Sequence, residues 1–268
     1  MIISANKWEH DVQAYLNICN ITDTTPRKQI RDFAAGVNDL GLWSNMVCWP
    51  LRSTQNAGTG TTAYSLGGLG TFNGTLTNGP TWGTDGITFA NASSQYISLG
   101  GTQIIGGNSD YTVMGVAQLT NVAAINLAVI SFGNNRAALI GVASNGSTQI
   151  RNAQWTVANA FSGAQLANGP TTSMFAGFVS GDATNAKNYI NSGTPYSTLT
   201  ADYRVNPSAT TLPQIGALNI VASPNTSAVF WNGDIAVGAI WNVKLTDAQV
   251  ASVFSLYKAT LGTGLGLP

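Results

Sequence analysis

The chain has 268 residues, a length that suits one large core with an appendage, and Lys+Arg and Asp+Glu balance at 11 each. Only 8% of residues are charged, against roughly a quarter in an ordinary soluble domain, so nothing in the composition steers toward nucleic acid or a membrane surface. Solubility has to come from Gly, Thr, Asn and Ser, which favour turns and strands, while 44% apolar residues argue against disorder.

Met1 to Asp11 lacks the apolar stretch of a secretory signal, and no run of about 18 apolar residues follows anywhere. The expectation is a soluble chain, or one exported by assembly. A short helix is predicted from about Glu9 to Ile18, with Val12, Tyr15, Leu16 and Cys19 on its apolar side. A second is predicted from Thr25, with Thr25 as cap, Pro26 in the first helical position and Gly41 closing the end. Ile30, Phe33, Val37 and Leu40 share its apolar face. Cys19 and Cys48, the only cysteines, match neither zinc-site nor CxxC spacing; they read as two buried thiols or as one disulfide.

After Trp43 the pattern changes to short apolar runs separated by Gly, Asn, Pro and Ser, the spacing of a sandwich or barrel. Strands are predicted at Met46–Leu51, Ile87–Phe89, Tyr96–Leu99, Thr112–Leu119, Leu127–Phe132, Ala137–Ala143 and Gln149–Trp155. They continue at Met174–Val179, Lys187–Asn191, Gln214–Ala217, Ala228–Asn232 and Ile235–Val243. In the last of these Ile235, Val237 and Trp241 are expected on one side and small residues with Ile240 on the other, which marks a central strand buried on both faces. Gly58–Thr62 and Gly67–Gly74 read as loops, and Trp82, Trp231 and Trp241 as core residues. A final helix follows, with Thr246 and Gln249 at capping-box spacing and Val250, Val253, Phe254 and Tyr257 on one face; Gly262–Pro268 is expected to be a flexible end.

Several segments together resemble the laminin G-like branch of the concanavalin A-like lectin/glucanase superfamily. They are Gly86-Ile87-Thr88-Phe89 leading to Gln95-Tyr96-Ile97-Ser98-Leu99, Tyr111-Thr112-Val113-Met114, Asn188-Tyr189-Ile190-Asn191-Ser192-Gly193, and Phe230 through Trp241-Asn242 to Val250. The resemblance covers roughly residues 43–262. It implies an all-β fold, a two-sheet jelly-roll sandwich of concanavalin A-like type, here with an N-terminal helical hairpin and a short C-terminal helix. Residues 1–42 form the helical prefix, assigned to docking and assembly, and residues 43–268 the sandwich. In this family the strand equivalent to Gly233–Val237 often supplies acidic side chains to a calcium ion; those positions are Ala236 and Val237 here, so the calcium site does not carry over. The prefix, Ile21-Thr22-Asp23, a helix and then Leu40-Gly41-Leu42-Trp43-Ser44-Asn45-Met46, resembles segments that precede lectin-like domains in tailed-phage virion proteins.

Catalysis finds little support in the side chains. Retaining glycosidases need a nucleophile and an acid about 5 Å apart; Glu9 is the sole glutamate, and no aspartates pair at alternate positions of a predicted strand. His10 is the only imidazole and no GxSxG occurs. A lyase could use Tyr203-Arg204 or Arg136, without a second supporting feature. Asp85, Asp110, Asp182 and Asp234 are isolated and read as turn residues, so no metal or cofactor is expected. Carbohydrate binding needs only an aromatic for the ring face and Asn or Arg for hydroxyls. Asn134, Asn135 and Arg136 in a predicted turn, with Asn152 and Trp155 near another strand end, are the candidate glycan-binding residues; Trp155 as core and Arg136 as a solvated turn residue is the plainer alternative.

The reading is a non-enzymatic bacteriophage virion protein: a capsid decoration, fibre or tail component with a lectin-like domain for host-surface glycan attachment. The helix face of Ile30, Phe33, Val37 and Leu40 is assigned to assembly with other virion proteins, and a homo-oligomer exposed on the particle surface is expected. Its partners would include bacterial surface polysaccharide, without nucleic acid or membrane. The alternative is a polysaccharide-degrading lyase or glycosidase of the virion.

Overall fold

The computed structural model describes residues 6–100, 104–120, 126–131, 137–144, 147–151, 154–155, 161–162, 173–200, 202, 204, 213–220 and 226–268. Within these, only the backbone is described for 126–127, 137–144, 147–151, 154–155, 161–162, 197, 199, 219–220 and 226–228. Helices α1 (Lys7–Ile18) and α2 (Thr24–Asp39) open the chain, and α3 (Asp247–Ala259) ends it. Between them run β1 (Met46–Pro50), β2 (Thr62–Ala63), β3 (Gly74–Thr77), β4 (Thr81–Trp82), β5 (Ile87–Phe89), β6 (Tyr96–Ser98), β7 (Tyr111–Leu119), β8 (Asn126–Ser131), β9 (Ala137–Ser144) and β10 (Ser147–Arg151). Then follow β11 (Gln154–Trp155), β12 (Phe161–Ser162), β13 (Phe175–Gly181), β14 (Ala186–Ile190), β15 (Ser197–Leu199), β16 (Gln214–Ile215), β17 (Leu218–Ile220), β18 (Thr226–Ala228) and β19 (Gly233–Trp241).

Two antiparallel sheets form a sandwich. The first has the order β15-β14-β13-β7-β19-β5-β4, with β1 also paired to β19; the second has the order β10-β9-β8-β16-β6-β3-β2. Strands of the first sheet alternate between two cores. Val47, Trp49, Val113, Ala117, Phe175, Val179 and Ile240 point into the space between the sheets. Met46, Cys48, Met114, Val116, Ala176, Phe178 and Trp241 point the other way, against Val12, Leu16, Ile30, Phe33, Val250 and Tyr257 of the helices. The molecule is therefore three layers: second sheet, first sheet, helices. A sheet covered on both faces has no polar side to offer, which is why β1 and β13 are buried at every position and read as apolar runs, broken in β13 only by Ser180.

The central-strand expectation holds for β19, but its facing does not. A β-bulge lies between Ile235, opposite Ala117, and Val237, opposite Val116. The extra residue shifts the alternation, so Ile235 packs between the sheets while Ala236, Val237, Ala239 and Trp241 all face the helices. Ile235 and Val237 thus lie on opposite sides.

Both prefix helices are closed by the paired carbonyl–amide bonds of the Schellman motif. Leu42 N donates to Val37 O at 3.0 Å and Gly41 N to Asn38 O at 2.8 Å; Ile21 and Asn20 repeat the pattern on Leu16 and Asn17. Asp23 is the N-cap of α2, so Thr25 and Pro26 lie inside the first turn, not at the cap and first position. The capping box of Thr246 and Gln249 forms as expected. Residues 262–268 are docked: Leu261 and Leu265 are buried and Leu267 packs beside them. Arg52 Nη1 donates to the carbonyls of Leu261 at 3.1 Å and Thr263 at 2.8 Å, holding the end of α3 against the sandwich.

Among the described residues several predicted strands are shorter or divided. Gln149–Trp155 is two strands, β10 and β11, and Ala228–Asn232 is not one, because β18 stops at Ala228 and Val229 takes φ 59°. Strands at Thr62–Ala63, Gly74–Thr77, Thr81–Trp82 and Ser197–Leu199 were not predicted. Trp231 and Trp241 are fully buried, whereas Trp82 is half-buried on the edge strand and donates from Nε1 to Gly60 O at 3.1 Å.

Candidate functional site: a charged edge and a nearly uncharged sheet

Of the glycan-binding candidates, Asn134, Asn135, Arg136 and Asn152 lie outside the described residues, and of Trp155 only the backbone is described, in β11. The structure does place the assembly candidates. Ile30, Phe33 and Val37 are buried and Leu40 partly so, all against the chain's own helices and first sheet. Their apolar face closes an internal layer, so it is not available to another protein in the folded chain.

Charged side chains gather at one edge of the first sheet. Lys187 and Tyr189 are two apart on β14 and share a face. Both reach Asp247 in the first turn of α3: Lys187 Nζ lies 2.7 and 3.0 Å from its carboxylate oxygens, and Tyr189 Oη donates to Oδ1 at 2.8 Å. Lys244 donates to Asp182 Oδ2 at 2.6 Å and Asn185 Oδ1 at 2.8 Å. Beneath this edge the connection from β19 to α3 is pinned by buried hydroxyls. Thr112 Oγ1 donates to Val243 O and accepts from Leu245 N, and Ser180 Oγ donates to Leu245 O. Lys187, Lys244, Leu245, Thr246, Asp247 and Ala248 line a shallow open groove between β14 and α3.

The electrostatics of this edge oppose acid catalysis. The Lys244 hydrogen bond, then those from Thr184 and Asn185, hold the Asp182 carboxyl far below its ordinary range. The Lys187 bond foremost, with help from Tyr189, lowers Asp247. Burial, then the bond to Asp247, pushes the Tyr189 phenol up. A general acid at neutral pH needs the opposite shift, a carboxyl raised toward 6 or 7. Asp182 also accepts from the amides of Thr184 at 2.7 Å and Asn185 at 2.9 Å, the turn role its sequence context suggested.

A test follows from the sign of that shift. With its folded pKa below the ordinary 3.8, Asp182 stabilises the fold fully above that value, and the contribution is lost as pH falls through the folded pKa. Thermal unfolding followed from pH 5 to pH 2 should show Asp182→Asn less stable at pH 5 and flatter below pH 4 than the wild type. Parallel curves would exclude the Lys244–Asp182 pair as a source of acid sensitivity.

Of the other candidates for chemistry, Tyr203 and Arg136 lie outside the described residues, and Arg204 is paired with Asp202 at 2.8 Å and donates from Nη1 to Asn108 O at 2.7 Å. Glu9, the sole glutamate, accepts the Asn6 amide at 2.9 Å as half of the α1 capping box, and His10 beside it is exposed. Cys19 and Cys48 are buried free thiols; burial pushes Cys19 up to about 12 and raises Cys48 as well, which keeps both unreactive. Among the described residues no group of three His, Cys, Asp or Glu side chains could hold a metal ion.

The second sheet is different in kind. Its seven strands contain one charged residue, Arg151, whereas α2 alone contains Arg27, Lys28, Arg31, Asp32 and Asp39. Sequence reading missed both the charged edge and this segregation. The signal for the first is absent locally, since Asp182, Lys187, Lys244 and Asp247 meet only through the fold. The second was visible in the uncharged strand segments, had they been compared with the helices.

No protein-family model and no curated protein sequence matches this chain. Among solved structures it is similar to the sialidase of Trypanosoma rangeli, with TM-score 0.57 and 10% identity over 88% of this chain and 39% of that one. It is also similar to the binding domain of botulinum neurotoxin serotype D, with TM-score 0.54 and 11% identity over 80% of this chain and 52% of that one. The chain thus spans about half of the toxin domain and less of the sialidase. At such identities the likeness is one of fold, and fold and layers together define the class: a β-sandwich backed by a helical layer.

Proposed function

We propose that this chain is a non-catalytic, lectin-like structural protein of a bacteriophage particle, a capsid decoration, fibre or tail component whose concanavalin A-like, laminin G-like sandwich attaches to glycan on the host surface. The observation that carries the non-catalytic part is the disposition of carboxylates. Glu9 caps a helix, and Asp182 and Asp247 are held ionised by lysines. Binding sugar asks for less than cleaving it: a ring face and uncharged hydrogen-bonding groups. The fold shared with a toxin binding domain supports a frame that presents a surface, and the second sheet, with Arg151 as the one charged residue in its strands, supports a nearly neutral one.

The helical layer favours the assembly role in a modified form. Its apolar side belongs to the internal core, so contacts with other virion proteins, in a homo-oligomer exposed on the particle, would use the charged outer side of α1 and α2. Neither nucleic acid nor membrane nor cofactor enters this reading.

The test is binding of the purified full chain to an array of bacterial surface polysaccharides. Saturable binding is expected, weakened roughly tenfold by Arg136→Ala or Trp155→Ala, which corresponds to about 1.4 kcal/mol. An array without hits, together with unchanged host adsorption of particles carrying the two variants, would contradict the glycan role.

A further inference from the structure

The outer face of the second sheet carries a row of matched side chains. Ile97, Ile130 and Ile215 are buried between the sheets, and a Cβ on Gly238 of β19 would stand 2.9 Å from Ile215 Cδ1 and 3.3 Å from Ile130 Cδ1. On β6 and β16 the strand neighbours Tyr96, Ser98 and Gln214 therefore project outward, as does Thr75 beside the buried Leu76 of β3. The register aligns Thr75 opposite Ser98 and Ser98 opposite Gln214, with Ser131 of β8, beyond a register irregularity, opposite Gln214. Thr75 is exposed and Ser98 half-buried, and the row becomes buried at Gln214 and Ser131. Tyr96, also outward on β6, is half-buried against Phe230, with ring centroids 6.2 Å apart and planes tilted by 38°.

Phe230 is held from both sides. Val229 O accepts Ala128 N at 3.1 Å, and Trp231 N donates to Gly216 O at 2.8 Å while its indole is buried in the core. Val229 has φ 59°, a conformation that a β-branched residue adopts only where its surroundings impose it. The strained turn sends Trp231 inward and leaves the Phe230 ring beside Tyr96.

On these observations, and resting on the glycan-binding reading above, we propose that this face binds an uncharged polysaccharide chain, with the Tyr96–Phe230 pair against a sugar ring and Thr75 and Ser98 bonding its hydroxyls. Charge complementarity selects the occupant. A nucleic acid or an acidic glycan needs Lys or Arg to meet its anions, and neither occurs in β3, β6, β8 or β16. A neutral sugar offers hydroxyls for the Thr/Ser row and C–H faces for the rings.

Full-length protein should be titrated with laminarin, arabinan and galactomannan as neutral probes and with polysialic acid and alginate as acidic ones. Binding to at least one neutral probe and to neither acidic one is expected. Tyr96→Ala and Phe230→Ala should each weaken it roughly tenfold, Tyr96→Phe should leave it within about threefold, and the surface change Thr75→Glu should weaken it without altering thermal stability. Acidic probes bound in preference to neutral ones, or neutral binding that survives Tyr96→Ala and Thr75→Glu, would overturn this assignment while leaving the glycan-binding role standing. Binding to none of the five, or of the wider array, would overturn both.

Discussion

Phe33→Ala is expected to destabilise the whole chain by about 3–5 kcal/mol, the range for truncating a fully buried phenylalanine. Phe33 is 1% exposed, meets Tyr257 of α3 edge-to-face at a centroid distance of 6.4 Å, and belongs to the core that joins α1, α2 and α3 to the first sheet. Because that core is shared, the loss should appear as one cooperative transition moved downward by on the order of 10 °C, followed by both far-ultraviolet and tryptophan signals. A variant in which the helices melt early while the sandwich keeps the wild-type midpoint would show the helical layer to be an independent appendage.

The second large effect is expected at the start of β19. Gly233 has φ 140°, and a Cβ there would stand 2.1 Å from Gln118 O and 2.9 Å from Thr120 N of the neighbouring strand. The clash is with backbone, so no side chain can move aside. Gly233→Ala should cost about 3 kcal/mol or more through combined backbone strain and overpacking. Gly41→Ala is the comparison: φ is 71° with nothing within 4 Å of the added Cβ, and the cost should stay near 1–2 kcal/mol. Denaturant midpoints at constant m-value measure both; equal losses would mean that close approach to β7 does not constrain residue 233.

The same two residues show what the sequence could and could not disclose. Ile30, Phe33, Val37 and Leu40 announced an apolar helix face by spacing alone. An amphipathic face says that it is covered, not by what, and the cover turned out to be the chain's own first sheet, far away in sequence. β19 was legible as a central strand because apolar residues ran without polar interruption. Its bulge was not, since Ala236 and Gly238 fit either face and give no phase. Two-residue strands such as Thr62–Ala63 have no period to detect. The end at residues 262–268 read as flexible from its glycines, yet Leu265 and Leu267 pack with Leu261 and dock it.

For the site, the sequence shows one glutamate and no paired aspartates, but it does not show the surface proposed here for sugar. Tyr96 was placed in a strand and Phe230 was placed in one that does not form. Their meeting depends on Val229 adopting φ 59°, which no local pattern foretells for a valine. Lys187 and Asp247 are 60 positions apart and Thr112 and Leu245 133 apart, so the charged edge and the hydroxyl pin beneath it are properties of topology.

Whether sugar is held without being cut shows when one polysaccharide is followed through binding and time. A neutral polysaccharide bound by the chain should be incubated with it for a day, released by denaturation and sized by light scattering. An unchanged chain length is expected, with no new reducing ends or unsaturated sugars; progressive shortening that scales with protein concentration would contradict the non-catalytic reading.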